Sequence, residues 1–179
     1  MAFDSIAVLG LGKVGTLAAR LLHGAGFSVT GVDSDPHLPA QPFPVEPLDV
    51  SDPTALAPLF GRVGAVLSCL PYALNRGVAR VAHSAGIHYF DLTEDVPTTD
   101  LVRELAADSG GITGASLAHR FDRCRSIRMK VGALPQHPSG LLGYAFNWSP
   151  EGVVNEYLND AEVIEEGERK FVSSMEWIE

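Results

Sequence analysis

The stretch "SIAVLGLGKVGTLAARLL", residues 5 to 22, narrows the possible folds more than any other part of the chain. Its opening "SIAVL" is an uninterrupted apolar run, which predicts a strand buried on both faces, as in a parallel sheet. Residues 13 to 23 then place Val14, Leu17, Ala18, Leu21 and Leu22 at helical spacing, and "GAG" at 24 to 26 ends the helix. A second strand, "SVTGV" at 28 to 32, leads to Asp33. Strand, glycine turn, helix and strand make one βαβ unit.

The regular alternation then breaks. Prolines at 36, 39, 42, 44 and 47 rule out a helix, so an extended surface loop replaces the second crossover helix. A short strand follows in "VEPLDV", with Asp49 and Val50 at its end. "SDPTALAPLF" starts as a helix should, with a capping Ser or Asp and a proline in the first turn. "GAVLSCL" predicts the fourth strand, 75 to 85 a helix, "IHYFDL" the fifth strand and "PTTDLVRELAADSG" another helix. The fold class is α/β: a Rossmann-type, doubly wound parallel sheet over residues 1–112. In residues 113–179, "GASLAHRFDRC" reads as helix, while "SIRMKVGAL", "GYAFNWS" and "AEVIEEGERKFVSSMEWIE" read as antiparallel strands of a partial α+β domain.

Length allows one complete domain and part of a second, because domains usually run to about 100 to 150 residues. Thirteen Lys and Arg against 22 Asp and Glu give a net charge of -9. That is the wrong sign for tracking a phosphate backbone, so nucleic acid is not an expected partner. Cys69 and Cys124 show no zinc spacing, and are expected as free thiols in a reducing cytoplasm. Neither a secretory leader nor a membrane span is expected, since no apolar run approaches the roughly 18 residues required.

Gly10, Gly12 and Gly15 carry the G-x-G-x-x-G spacing. The first permits the tight turn, the second lets the backbone approach a pyrophosphate, and the third allows close helix packing. Lys13, Val14 and their neighbours at the helix start would offer amides to phosphate oxygens. Asp33 stands where a carboxylate accepts from the adenosine ribose hydroxyls; the plainer reading is a solvated loop acid. No Arg or Lys follows in "DSDPHLPAQP" to neutralise a 2′-phosphate, which favours NAD over NADP. Asp49 and Val50 would border the adenine, or Asp49 would merely cap the next helix. Ser68, Leu70 and Pro71 would line the nicotinamide ribose, with Cys69 a buried small apolar group. "DLTED" presents Asp91, Thr93, Glu94 and Asp95 to the same crevice, some of them as helix caps. His88, His119, His137 and Tyr72 are the acid–base candidates, and none has a partner evident from sequence. No metal site is expected.

Taken together, "VLGLGKVG", "LSCLPY", "HYFDLTEDV", "RMKVGALP" and "YAFNWSPEGVVNEYLNDAEVIEEGE" resemble the saccharopine dehydrogenase family, with its lysine 6-dehydrogenase and carboxynorspermidine synthase relatives. The resemblance implies hydride transfer between NAD(P) and a C–N bond of an amino acid or polyamine precursor. It also implies an α+β second half that contacts substrate and a second subunit. Two departures stand out. "AADSGGITGASLAHRF" passes from helix to helix without the family's sixth strand and "CGLAPG"-like loop, and the chain stops at Glu179 where relatives continue. The expectation is a shortened family member or residues of a longer chain, and the rival function is a catalytically silent dinucleotide-binding or interaction module. Asn155, Glu156 and Tyr157, following Ser149 and Pro150, would meet substrate or a second subunit; Trp148 and Tyr157 read more simply as core or interface aromatics. An unfinished antiparallel sheet leaves an open edge, from which a homodimer through the second half is expected.

Overall fold

The computed structural model describes residues 3–93, 95–108, 137, 154, 158–166 and 168–173. The chain groups into two compact units, Met1–Cys124 and Arg125–Glu179. The expected division after residue 112 falls outside the described residues.

The first unit is built on a parallel sheet of five strands, β1 (Ser5–Leu9), β2 (Ser28–Asp33), β3 (Val45–Pro47), β4 (Ala65–Ser68) and β5 (His88–Asp91). Their order is β3-β2-β1-β4-β5, with Ile6 in register with Val29 on one side and Ala65 on the other. The chain runs outward from β1 to β3, then returns to the far side of β1, so the switch point lies between β1 and β4. Helices α1 (Lys13–Gly24), α2 (Pro53–Phe60), α3 (Tyr72–Ala85) and α4 (Val96–Asp108) complete the unit.

Side-chain alternation along β1 splits the core. Ala7 and Leu9 join Leu56, Leu59 and Phe60 of α2 and Val78 and Ala82 of α3. Ile6 and Val8 join Leu11, Ala19 of α1 and Phe43. Phe43 belongs to the proline loop and lies over Gly31, where an added Cβ would come within 3.0 Å of its ring. One loop side chain thus fills the space a second crossover helix would cover. Arg20 of α1 reaches this loop at Gln41, 3.0 Å away.

Several elements depart from their predicted bounds for local reasons. Strand β3 stops at Pro47, one last bond running from Leu48 N–H to the Asp33 carbonyl at 3.1 Å, so Asp49 and Val50 lie beyond it. Helix α3 starts at Tyr72, with Pro71 as its N-cap and Leu74 N–H donating to the Pro71 carbonyl at 3.0 Å. The largest correction concerns α1. Its buried face carries Gly15 and Ala19, with Leu22 packed against the same core, while Val14, Leu17 and Leu21 are 46%, 59% and 66% exposed. Of the apolar residues read at helical spacing, Leu22 packs inward and Ala18 is half-buried, while Val14, Leu17 and Leu21 look outward.

In the second unit, β6 (Ala161–Glu165) pairs antiparallel with β7 (Glu168–Val172), and Glu166 after β6 adopts φ 55°. The strand readings at "SIRMKVGAL" and "GYAFNWS" lie outside the described residues.

The rotation of α1 and the location of the core are both measurable. Phe60→Ala should lower unfolding free energy by about 3 to 5 kcal/mol, and Leu17→Ala should change it by less than about 0.5 kcal/mol. Urea midpoints with unchanged slopes would check both.

Candidate functional site

At the carboxyl end of β1 the three glycines meet three different demands. Gly10 has φ 83°, and a Cβ on it would lie 3.0 Å from the Cys69 carbonyl oxygen at the end of β4. Both the backbone angle and the neighbouring strand therefore require glycine. A Cβ on Gly15 would fall 1.8 Å from the Gly10 carbonyl oxygen, so here the helix lies directly against the turn. Gly12 is unlike either: a Cβ there meets nothing within 4 Å, and its φ of -65° suits any residue. Open space in front of a helix start is what a pyrophosphate group needs.

The start of α1 supplies the matching polarity. Gly12 is its N-cap, no side chain caps it, and its first turn holds no acidic residue. Thr16 N–H, the first to be used inside the helix, donates to the Gly12 carbonyl at 3.0 Å, so the amides before it face the open end. Lys13 and Val14 are exposed on this turn. The arrangement favours an anion through amides, helix dipole and the Lys13 charge.

Asp33 closes the neighbouring side. Its Oδ2 accepts from Leu11 N–H at 2.7 Å and its Oδ1 from Asp35 N–H at 3.0 Å. The half-buried carboxylate therefore pins the glycine loop to the end of β2 while lying at the strand edge. Asp49 is exposed and folds back on Ser51, accepting from its N–H at 2.9 Å and its hydroxyl at 2.7 Å. These bonds hold its carboxyl below the usual range. The helix cap is Asp52, which accepts from Thr54 N–H at 2.8 Å. Val50 packs, half-buried, against the core below α2.

Across the switch point, β4 and β5 end in a run of polar contacts. Ser68 is 1% exposed and its hydroxyl donates to Asn75 Oδ1 at 2.7 Å, so its side chain turns inward and does not line the crevice. The surface there is made by half-buried Leu70 and exposed Pro71 and Tyr72. On β5, Asp91 Oδ2 accepts from the Tyr89 hydroxyl at 2.8 Å and Oδ1 from Thr93 N–H at 3.3 Å. Thr93 Oγ1 accepts from Asp95 N–H at 3.2 Å, and Asp95 caps α4 by accepting from Thr98 N–H and hydroxyl at 3.0 and 2.7 Å. Burial and the Asp91 carboxylate push the Tyr89 phenol well above its ordinary value. Tyr89 and Asn75 were not legible as site residues: a tyrosine within a strand and an asparagine within a helix carry no local signal, Asn75 meets Ser68 on another element, and Tyr89 meets Asp91 two residues along its own strand.

Among the remaining candidates, His88 opens β5 with its ring 5.2 Å from Phe3, and Cys69 is a half-buried free thiol. His137 is exposed. Glu94, His119, Cys124, Trp148, Ser149, Pro150, Asn155, Glu156 and Tyr157 lie outside the described residues. Among the described residues no three His, Cys, Asp or Glu side chains form a metal-binding group, and no helix is long and apolar enough to cross a membrane.

The glycine loop, the open helix start, Asp33 and the switch-point crevice define a dinucleotide-binding domain of Rossmann type. Residues 6–120 match the family described as the saccharopine dehydrogenase NADP binding domain, and residues 101–179 match the saccharopine dehydrogenase C-terminal domain. The chain belongs to the saccharopine dehydrogenase family. Its fold is similar to that of the apo saccharopine dehydrogenase (L-Glu forming) from Saccharomyces cerevisiae, at 21% identity and a TM-score of 0.58 over 96% of this chain and 44% of the yeast protein. A UDP-N-acetylglucosamine 4-epimerase from Bacillus cereus shares the fold at 10% identity and a TM-score of 0.50, over 60% of this chain and 56% of that one. The chain spans less than half the length of the yeast enzyme.

The glycines separate by their stabilities. Gly15→Ala should cost several kcal/mol, on the order of the severest core lesions, whereas Gly12→Ala should stay within about 1 kcal/mol of the parent. Thermal melts distinguish the two. Tyr89 adds a pH dependence: its folded value is raised, so above pH about 10 the unfolded chain gives up that proton more readily. Stability should fall as pH rises past that point, and Tyr89→Phe should flatten the fall in alkaline melts.

Proposed function

We propose that the chain is the cofactor-binding part of an NAD(P)-dependent oxidoreductase acting at a C–N bond of an amino acid or polyamine precursor. The observation that carries the cofactor assignment is Gly12, whose missing side chain serves no packing contact and leaves open space before an uncapped helix start. The family match supports the reaction class. The bound nicotinamide would accept or donate hydride. Amides at Gly12 and Lys13 would hold the pyrophosphate, Asp33 would accept from the adenosine ribose, and Leu70 and Pro71 would wall the crevice against water. In the oxidative direction the substrate loses hydride from the carbon and a proton from the nitrogen, leaving C=N.

NAD is the preferred cofactor in this reading. Asp33 and Asp35 stand together at the end of β2, and residues 33–47 contain no Lys or Arg to meet a 2′-phosphate. The second unit contributes dimer contacts: Val154 and Leu158, four residues apart, and Phe171 of β7 are exposed apolar side chains. A second copy would cover them.

Calorimetry on the purified chain should detect NAD binding, with NADP weaker. Gly12→Asp, which sets a carboxylate against the pyrophosphate, should weaken NAD at least about tenfold, equivalent to about 1.4 kcal/mol. Asp33→Asn keeps an acceptor for Leu11 N–H, and should narrow the NAD-to-NADP preference. Absence of binding to either cofactor by the folded protein would refute the reading.

A further inference from the structure

Among the described residues, three polar side chains are fully buried: Ser68, Asn75 and Thr98. All three belong to one place, the carboxyl ends of β4 and β5 and the first turns of α3 and α4. Buried polar groups are costly unless paired, so their concentration here marks a built feature. At its centre is the Tyr89 hydroxyl, which has one proton to give. That proton goes to Asp91 Oδ2 at 2.8 Å, with the Asn75 carbonyl a weaker neighbour at 3.4 Å. Asp91 then holds Thr93 N–H, Thr93 holds Asp95 N–H, and Asp95 holds Thr98.

What this chain of bonds fixes is the backbone that leaves β5. Leu92, 62% exposed, and half-buried Thr93 are presented at the strand end, and each Asp91 oxygen accepts one bond from within the protein. Strand β5 lies two places from β1, roughly 10 Å at ordinary strand spacing. With the pyrophosphate at Gly12 and the adenosine on the Asp33 side, the nicotinamide half extends toward β4 and β5. Leu92 and Thr93 sit at the end of that reach.

We infer that the Tyr89 hydroxyl is a positioning group for the nicotinamide half of the dinucleotide site, acting through Asp91 on Leu92 and Thr93 without touching the ligand. The inference rests on the dinucleotide reading and adds to it a division of labour. The glycine loop and Asp33 hold the adenosine diphosphate half; the Tyr89–Asp91 pair shapes the wall for the other half.

The two halves can be weighed separately with ADP-ribose, which lacks the nicotinamide ring, and NAD. In Tyr89→Phe, whose ring fills the same space, ADP-ribose affinity should stay within about twofold of the parent while NAD affinity falls about fivefold to tenfold, the range of one net hydrogen bond passed on indirectly. Asp91→Asn, with its oxygen kept as the acceptor for Tyr89, sets an NH2 donor against Thr93 N–H, and should show the same selective loss. Unfolding midpoints identify any variant that fails to fold, and either variant alone suffices. Equal losses for both ligands, as a merely structural role would give, or no loss for either, would overturn the inference. If the parent protein binds neither ligand, the dinucleotide reading itself fails, a result separate from any variant's behaviour.

Discussion

Helix α1 can lie against the turn that follows β1 only because residue 15 has no side chain. The 1.8 Å that would separate its Cβ from the Gly10 carbonyl is far inside contact distance, and it involves backbone on one side, which cannot swing away. That single approach sets the rotation of α1 about its axis. It brings Ala19 and Leu22 inward with Gly15 and turns Val14, Leu17 and Leu21 out. It also brings the open end of the helix to the sheet's carboxyl edge, with Gly12 and Lys13 at its mouth. Packing and anion attraction are thus two results of one contact.

The two flanks of the crevice are held by different physics. On the β1–β2 side the fixing elements are steric and backbone: Gly10 against Cys69, Gly15 against Gly10, and one carboxylate bond from Asp33 to Leu11. On the β4–β5 side the glycines are absent, and side-chain hydrogen bonds do the fixing, with Ser68, Asn75 and Thr98 taken out of water to do it. Such networks are stiff when every member is satisfied, and no buried side-chain N or O atom is unpartnered among the described residues. The first arrangement suits a site for an invariant ligand part, whose shape never changes. The second leaves side chains at the edge free to differ without disturbing the frame.

Legibility in the sequence followed the range of the interaction. The parallel sheet, the tight turn at Gly10, the close packing at Gly15 and the place of Asp33 at the end of β2 were readable because each depends on neighbours in the chain: an apolar run, a spacing, an acid at a strand's end. The proline loop was readable for the same reason, since proline excludes helix wherever it stands. The facing of α1 was not, because apolar residues covered a wide arc and the Gly15 contact, not hydrophobicity, chose which part turned inward. Ser68 and Asp91 read as crevice groups because both end strands at the carboxyl edge. Asn75 is brought to Ser68 by the packing of α3 on β4, and Tyr89 meets Asp91 two residues along β5, where burial rather than any local pattern makes their bond count. Asp49 and Val50 were placed on a strand whose last bond to β2 is made by Leu48, and the chain there turns into the cap of α2.

The proline loop explains a further economy of the fold. A crossover helix between β2 and β3 would cover the sheet with a row of side chains; here Phe43, seated on Gly31, and partly buried Leu38 cover it. A long third strand would present a row of unpaired N–H and C=O groups at the sheet's edge, inviting another strand to pair. Strand β3 is instead three residues long, flanked by Pro44 and ended by Pro47. Pro47, whose backbone faces away from β2, cannot donate to an incoming strand, and the neighbouring Glu46 is held by Arg62 at 2.9 Å. A proline of the run that excludes the helix therefore also guards the edge its absence leaves open.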